Sequence, residues 1–222
     1  MKIGVFDSGI GGLSVAKAIE RKRPDLDVVF VNDSKHVPYG TRTPEEIYGF
    51  VVPIFRDLIA QGCSVIVVAC NTVSTTLRMR LREDFSIPFV LLEPMVKPAA
   101  AMTKTGTITV CATPATLHSE RYHWLKDTYA SGVRVLEPDC ADWSYLIEHN
   151  RMNTDKIRED IEPALQQGTD VIVLGCTHYH WIQEEIQAVA GKRAVVIQPE
   201  DAVVRQLERI LAALPATPQQ HS

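Results

Sequence analysis

The 222-residue sequence contains no Cys-x-x-Cys pair, and its cysteines are odd in number. A disulfide framework or a clustered zinc site normally requires paired cysteines at short spacing, so this pattern argues against both. The five cysteines are Cys63, Cys70, Cys111, Cys140 and Cys176. Free thiols fit a reducing compartment, and we therefore expect a cytoplasmic protein without a bound metal.

The sequence also has no excess of positive charge and no long apolar run, and its first residues do not predict a secretory leader. The net charge is −4, so the composition gives no basic footprint for nucleic acid. No segment approaches the roughly 18 apolar residues that indicate a membrane span. The first residues, MKIGVFDSG, lack the apolar core of a signal peptide. We expect neither nucleic acid nor a membrane as a partner.

Short apolar runs alternate with longer amphipathic stretches, which is typical of a parallel α/β architecture. The predicted strands are 2–6, 28–32, 65–69, 89–92, 107–111, 134–136, 171–174 and 194–197. The predicted helices are 12–21, 44–61, 74–84, 96–102, 115–129, 142–149, 154–167, 181–190 and 201–213. Residues 215–222 are rich in Pro and Gln, which predicts a disordered tail.

One short phrase occurs twice in the chain. QGCSVIVVACNT covers residues 61–72 and QGTDVIVLGCTH covers residues 167–178, in constant register because 176 − 70 = 106 and 167 − 61 = 106. Each copy contains a helix end, a Gly turn, an apolar run, and then Cys followed by two polar residues. The repetition indicates two related half-structures that each contribute one thiol.

The same offset extends beyond the two phrases. It places Asp7-Ser8 on Thr113-Pro114, and Asp33 on Asp139. Chance similarity between two ordinary α/β units is the alternative, but the matching polar residues at strand ends favour a true repeat. We therefore predict two pseudo-symmetric parallel-sheet α/β domains with the active site between them. The predicted first domain is 1–93 plus 198–214, and the second is 94–197.

Reactive side chains stand at the predicted strand ends, where open parallel sheets bind their ligands. Cys70 and Cys176 each lie between a strand and a following helix, where backbone N–H groups favour a thiolate. Asp7 is a candidate partner for Cys70, and His178 for Cys176. Two such thiols are compatible with nucleophilic catalysis, a redox dithiol, or proton transfer across a carbon atom. Only proton transfer, with one thiol on each face, uses the pseudo-symmetry directly.

Two turns complete the candidate site. The loop SGIGGLS (8–14) is rich in Gly but has neither a full G-x-G-x-x-G pattern nor a following Lys, so a nucleotide site is disfavoured. We expect its backbone N–H groups to face a substrate carboxylate instead. VPYG (37–40) is a second tight turn. Side chains suited to the ammonium and carboxylate groups of an amino acid are Ser8, Asn71, Thr72, Thr113, Thr116 and Thr177.

The segments IGVFDSGIGGLSV, VPYG, ACNTVS, EPMVKPA, ATPAT and GCTHY together resemble the glutamate racemases of the aspartate/glutamate racemase superfamily. The similarity runs from about residue 2 to residue 200. It implies cofactor-independent interconversion of L- and D-glutamate, which supplies D-glutamate for peptidoglycan. It also implies a small-molecule amino-acid substrate and a possible homodimer.

Carried over by motif, the resemblance implies roles for individual residues. Cys70 would deprotonate D-glutamate with help from Asp7, and Cys176 would deprotonate L-glutamate with help from His178. Glu148 would be the acidic residue near the second thiol. The implied substrate contacts are Asp7, Ser8, Tyr39, Gly40, Asn71, Thr72, Thr113, Thr116, Thr177 and His178.

The sequence departs from the family pattern at His180, which follows the CTHY motif where Pro is common, and at Gln198, where Asp is common. Ser-Lys-His also replaces Thr-Ala-Arg before VPYG. An exposed histidine at a helix start is the expectation for His180. Alternatives are a racemase for aspartate or another amino acid, or a binding or regulatory homologue with weak turnover.

Overall fold

The computed structural model describes residues 1–214, so the predicted tail at 215–222 lies outside the described residues. Within this range the chain forms two four-stranded, wholly parallel sheets, in the orders β2-β1-β3-β4 and β6-β5-β7-β8. The strands are β1 Lys2–Asp7, β2 Asp27–Asn32, β3 Val65–Val68, β4 Phe89–Leu91, β5 Thr107–Ala112, β6 Arg134–Leu136, β7 Val171–Gly175 and β8 Val195–Ile197. Adding four to each strand of the first sheet gives the second, which confirms the predicted fold class.

Helices connect the strands in both halves. The α-helices are α1 Leu13–Lys22, α2 Pro44–Ala60, α3 Asn71–Thr76, α4 Arg78–Asp84, α5 Val96–Met102, α6 Pro114–Leu117, α7 Glu120–Tyr129, α8 Trp143–Glu148, α9 Thr154–Gln166, α10 Gln183–Ala190 and α11 Glu200–Ala213. Two 3₁₀ helices cover Tyr39–Thr41 and Thr177–Ile182.

The repeated Gln-Gly pair ends a helix in the same way in each half. Gln61 terminates α2 and Gln167 terminates α9, and each is followed by a glycine with positive φ, 87° at Gly62 and 90° at Gly168. A left-handed residue after a helix favours glycine, which has no Cβ to clash. The chain then enters β3 or β7, both of which are fully buried. Because the preceding helix ends in the same way and the same kind of strand follows, Cys70 and Cys176 lie at the carboxyl ends of equivalent strands.

Three predicted helices were wrong in detail near the strand ends. The helix predicted at 74–84 starts three residues earlier and is broken at Leu77, which separates α3 from α4. The helix predicted at 115–129 is broken before α7, because Ser119 caps the new helix by accepting a hydrogen bond from the Tyr122 N–H. The helix predicted from 181 is preceded by the 3₁₀ turns that begin at Thr177.

Helix α11 packs on the first sheet although it follows the last strand of the second. Its residues Val203, Val204 and Leu207 are buried in one cluster with Ile3 of β1 and Val15 of α1. This packing fits the predicted domain division at 1–93 plus 198–214 and 94–197, whose boundaries stay a prediction.

Across residues 1–214, no helix combines the length and the apolar character needed to cross a membrane.

Candidate active site

Cys70 and Cys176 line one cavity. Cys70 follows β3 and precedes α3, and Cys176 follows β7 and precedes the second 3₁₀ helix. Both thiols are buried, with 5% and 7% of the residue surface exposed. The cavity has a volume of about 20 Å³. Its lining consists of Ser8, Val37, Pro38, Tyr39, Gly40, Thr41, Cys70, Asn71, Thr72, Thr113, Ala141, Ser144, Cys176, Thr177 and His178.

Cys70 lies in a site that favours its neutral thiol. Its sulfur is 3.5 Å from the hydroxyl oxygen of Ser8. Burial, reinforced by the negative charge of Asp7, raises the pKa of the Cys70 thiol. The hydrogen bond from Ser8 opposes this shift without cancelling it. With these neighbours, Cys70 is therefore suited to hold a proton.

Cys176 has a different environment, because it lies beside a histidine. Its sulfur is 3.7 Å from Nδ1 of His178, whose Nε2 is 2.7 Å from Oε1 of Glu148. Burial alone would lower the pKa of His178, but the hydrogen bonds to Cys176 and Glu148 outweigh it and raise that pKa well above 6.5. A hydrogen bond from His178 also lowers the pKa of Glu148. The pair therefore places a positive charge next to the sulfur of Cys176, where it stabilises negative charge.

Asp7 joins the two halves beneath the cavity. Its side chain is fully buried, and Oδ2 accepts hydrogen bonds from the Gly12 N–H at 2.6 Å and from the Thr177 hydroxyl at 3.1 Å. Burial raises the pKa of the Asp7 carboxyl, although the charge of His178 opposes it. Oδ1 is buried without a hydrogen-bond partner among residues 1–214. Such an unpaired oxygen is costly unless a ligand or water completes it.

Asn71 also has buried polar atoms without a hydrogen-bond partner in the described part of the chain. It is 2% exposed and lines the cavity, and neither its Oδ1 nor its Nδ2 has a partner in the part of the chain that the structure describes. Its neighbour Thr72 donates to or accepts from Thr113 of the other half at 2.9 Å. The cavity is thus bordered by polar groups that a small zwitterion would satisfy.

Two N–H groups of the glycine-rich loop bind carboxylates of the protein. The N–H of Gly12 binds Asp7, and the N–H of Ile10 binds Oε1 of Glu148 at 3.2 Å. These two N–H groups are therefore not available to a substrate carboxylate, because carboxylates of the protein already accept from them; that other N–H groups of the loop face the substrate stays a prediction. Gly11 must lack a side chain, because a Cβ there would lie 2.5 Å from the backbone nitrogen of His178. The loop after β1 therefore packs closely against Thr177 and His178 of the second half.

The VPYG turn contributes Tyr39 and Gly40 to the cavity. The Tyr39 hydroxyl donates to Oδ2 of Asp33 at 2.6 Å, and Nδ1 of His36 is 2.7 Å from the same oxygen. Burial and that hydrogen bond raise the pKa of Tyr39. A Cβ on Gly40 would lie 2.8 Å from the Cβ of Thr113. Asp33 thus anchors the turn against the second half, whereas its counterpart Asp139 is exposed.

Most of the predicted contact residues line the cavity. Ser8, Tyr39, Gly40, Asn71, Thr72, Thr113, Thr177 and His178 do so. Asp7 and Glu148 lie behind this lining as partners of Thr177 and His178. Thr116 is not part of the lining, and its hydroxyl accepts a hydrogen bond from Thr113 at 3.1 Å.

Sequence reasoning missed Ser144, whose hydroxyl oxygen is 3.5 Å from the sulfur of Cys176. Ser144 lies four residues before Glu148 in α8, so both project from one face of that helix. This spacing was the available signal.

The expectation of an exposed His180 is wrong. Its side chain is 2% exposed, and Nδ1 lies 3.6 Å from Oε1 of Glu200 and 3.4 Å from the hydroxyl of Ser14. These contacts join the second 3₁₀ helix to α11 and α1. The side chain of Gln198 accepts from the Glu200 N–H at 2.8 Å, so both departures from the family pattern meet at the start of α11.

Residues 1–214 contain no cluster of three or more His, Cys, Asp or Glu side chains placed to hold a metal ion. The three other cysteines, Cys63, Cys111 and Cys140, are buried and free, as expected for small apolar side chains.

Comparison with known proteins places the chain in a family. The sequence profile described as Asp/Glu/Hydantoin racemase matches residues 4–207. A glutamate racemase of Herpetosiphon aurantiacus is 41% identical over 215 residues, which cover 95% of this chain and 85% of that protein. The chain belongs to the Asp/Glu/Hydantoin racemase family, which confirms the resemblance seen in the motifs.

Solved structures agree in fold. Escherichia coli glutamate racemase in complex with L-glutamate and the activator UDP-MurNAc-Ala gives a TM-score of 0.89 at 31% identity, covering 97% of this chain and 84% of that one. The Francisella tularensis glutamate racemase in complex with D-glutamate gives 0.80 at 27% identity, covering 95% and 80%. The class of protein is thus an amino-acid racemase, an isomerase with two α/β halves around its site.

Proposed function

We propose that the protein is a glutamate racemase, which interconverts L- and D-glutamate with two cysteine thiols and no cofactor. The observation that carries this proposal is that Cys70 and Cys176, at equivalent ends of two related sheets, line the same cavity. Two thiols on opposite sides of a bound Cα would suit a reaction that removes a proton from one face and returns one to the other. The names of the relatives support glutamate as the substrate.

In the L-to-D direction, the thiolate of Cys176 takes the α-proton of L-glutamate, and the thiol of Cys70 gives its proton to the opposite face. Cys176 ends as a thiol and Cys70 as a thiolate, so the reverse reaction uses the same groups in exchanged roles. Burial favours the protonated form of Cys70, which suits it to act first as the acid. The His178–Glu148 pair next to Cys176 favours negative charge on that sulfur.

The unpaired polar atoms give the substrate its contacts. Oδ1 of Asp7 is a buried acceptor behind the lining of the cavity, and it suits an ammonium group reached directly or through water. Asn71 offers both a donor and an acceptor. Thr72, Thr113 and Thr177 add hydroxyl groups, which can donate to carboxylates once their present hydrogen bonds open. Positioning and electrostatic stabilisation by these groups must supply most of the rate, because proton transfer by a positioned group contributes roughly 10²–10⁴-fold.

Substrate entry requires the two halves to separate. A cavity of about 20 Å³ has room for about one water molecule, far less than an amino acid needs. The contacts that join the halves around the site include three hydrogen bonds, namely Thr72 with Thr113, Asp7 with Thr177, and the Ile10 N–H with Glu148. Such polar contacts can open and re-form during turnover.

The test is circular dichroism of single L-amino acids incubated with the purified protein. We expect the signal of L-glutamate to decay to zero, because a racemase brings the two enantiomers to equal amounts, and the signals of L-aspartate and other amino acids to persist. A constant L-glutamate signal would refute the proposal, and decay of another amino acid alone would reassign the substrate. The controls are Cys70→Ala and Cys176→Ala, each of which should abolish the decay.

The cellular role that we propose is supply of D-glutamate for peptidoglycan in the cytoplasm. The five free cysteines fit a reducing compartment. Expression in a bacterium that requires added D-glutamate should restore growth without it, and the Cys176→Ala variant should not. A homodimer remains a prediction from the resemblance, and light scattering after size exclusion would test it.

A further inference from the structure

Each thiol of the site has one serine hydroxyl at the same distance. Ser8 is 3.5 Å from the sulfur of Cys70, and Ser144 is 3.5 Å from the sulfur of Cys176. All four residues are buried, with exposures of 5% to 7%. The two sulfurs therefore have matching hydrogen-bond partners, although the rest of their surroundings differ.

The internal repeat does not account for this match. Adding 106 to the number of Ser8 gives Pro114, which carries no hydroxyl and no backbone N–H. The second half instead supplies its hydroxyl from α8, on a different segment of the chain. Two unrelated positions thus bring the same group to equivalent sulfurs, which points to a requirement of the chemistry and not to inheritance from a common half.

Helix α8 is held firmly enough to place that hydroxyl. The Trp143 indole N–H donates to Oδ2 of Asp160 at 2.6 Å, and the fully buried Trp143 ring packs edge-on against Tyr179. The Tyr179 hydroxyl donates to the carbonyl oxygen of Cys140 at 2.8 Å, just before the helix. One turn after Ser144, Glu148 binds His178. A single short helix therefore aims one group at the sulfur of Cys176 and another at its histidine.

We propose that Ser144 is a positioning residue for Cys176, whose hydroxyl donates a hydrogen bond to the thiolate that removes the α-proton of L-glutamate. The proposal rests on the two-thiol function proposed above. A neutral thiol offers only a weak acceptor, whereas a thiolate is charged, so the bond strengthens when Cys176 is the base. Ser144 and Cys176 lie in the same half, and their contact does not depend on closure of the cavity.

The experiment measures each thiol separately. The full-length protein without substrate is alkylated with iodoacetamide across a pH series, and mass spectrometry of peptides gives the rate at Cys176 and at Cys70. The reagent enters when the halves separate, and this opening affects both thiols, so the ratio of the two rates is used. Ser144→Ala should move the midpoint of the Cys176 profile upward by about one pH unit, as expected for loss of a hydrogen bond to a charged group. The Cys70 midpoint should not move.

Ser8→Ala is the matched control, because it should move the Cys70 midpoint and leave that of Cys176. Ser144→Thr keeps the hydroxyl and should restore the wild-type midpoint. Alanine is the better helix former, so Ser144→Ala should keep α8, which thermal unfolding will verify. A purely structural role for Ser144 would lower the melting temperature without moving the Cys176 midpoint, and that result would overturn the proposal.

Turnover separates this proposal from the proposed function. Because the two enantiomers are equally stable, kcat/KM must be equal in both directions, and Ser144→Ala should lower both by about tenfold at neutral pH. An unmoved Cys176 midpoint with wild-type racemisation intact would refute the role of Ser144 alone. Wild-type protein that does not racemise glutamate would refute the proposed function, whereas a moved midpoint in the same protein would still establish the Ser144 hydrogen bond.

Discussion

Replacing Gly11 with alanine should disable the site without touching a thiol. The added Cβ would lie 2.5 Å from the backbone nitrogen of His178, 2.7 Å from the carbonyl carbon of Thr177 and 2.7 Å from its hydroxyl oxygen. Ordinary contacts to a Cβ begin near 3.4 Å. Two of the three atoms are backbone, so no side-chain rotation can relieve those contacts. The loop after β1 must therefore move from the second half by about 1 Å.

A displacement of about 1 Å is expected to lower both turnover and stability. Misplacing catalytic groups by about 1 Å lowers turnover about 10²-fold, and overpacking a close contact costs roughly 1–3 kcal/mol of stability. We expect Gly11→Ala to lower kcat/KM for L-glutamate about 100-fold, measured by circular dichroism, with a modest loss in urea unfolding. Activity within about threefold of wild type would refute the account, because the closed site would then tolerate a loop displaced by about 1 Å.

Gly49→Ala is the matched control for this substitution. Gly49 lies in α2, and a Cβ there meets nothing within 4 Å among the described residues. Alanine is favoured over glycine within a helix by roughly 0.5–1 kcal/mol. This variant should be slightly more stable than wild type and equally active, so any general effect of adding a methyl group would be visible.

The remaining predictions concern the histidines and metal dependence. Glu148→Gln should reduce stability most between pH 4.5 and 6.5, the ordinary pKa values of the two partners, when measured by thermal unfolding across pH. The wild-type advantage is lost as pH rises through the raised pKa of His178, and as it falls through the lowered pKa of Glu148; an advantage independent of pH would contradict the ion pair. His180→Ala should cost about 1–3 kcal/mol in urea unfolding, because a buried side chain that contacts both Glu200 and Ser14 is lost, and an unchanged midpoint would show that these contacts are unimportant. Dialysis against EDTA should leave racemisation unchanged, and a loss restored by added metal would contradict the cofactor-free reaction.

The repeated phrase made the central architecture predictable. Its Gln-Gly stop, apolar run and cysteine are local signals, and each acts through a short stretch of chain, as the positive φ of Gly62 and Gly168 shows. The positions of β3 and β7, and of the cysteine after each strand, follow from these signals. The helices after Cys70 and after Thr113 were harder to predict, because a break at Leu77 and a cap at Ser119 interrupt otherwise helical segments.

Residues that depend on distant contacts could not be predicted in the same way. His180 is buried because α11 brings Glu200 beside it, and nothing in the neighbouring sequence reports that packing. In the glycine-rich loop, the Gly12 N–H binds Asp7 and the Ile10 N–H binds Glu148, which is 138 positions from Ile10. Ser144 could not be found from the repeat, which places a proline, not a serine, opposite Ser8.

The central claim is that two different thiols serve opposite faces of Cα, and proton NMR of L-glutamate racemised in D₂O tests it most directly. At early times we expect the D-glutamate formed to carry deuterium at Cα while the remaining L-glutamate keeps its proton, because the removed proton and the returned deuteron belong to different sulfurs. Early D-glutamate that retains the original α-proton would contradict the account, since a single group would then have carried that proton from one face to the other.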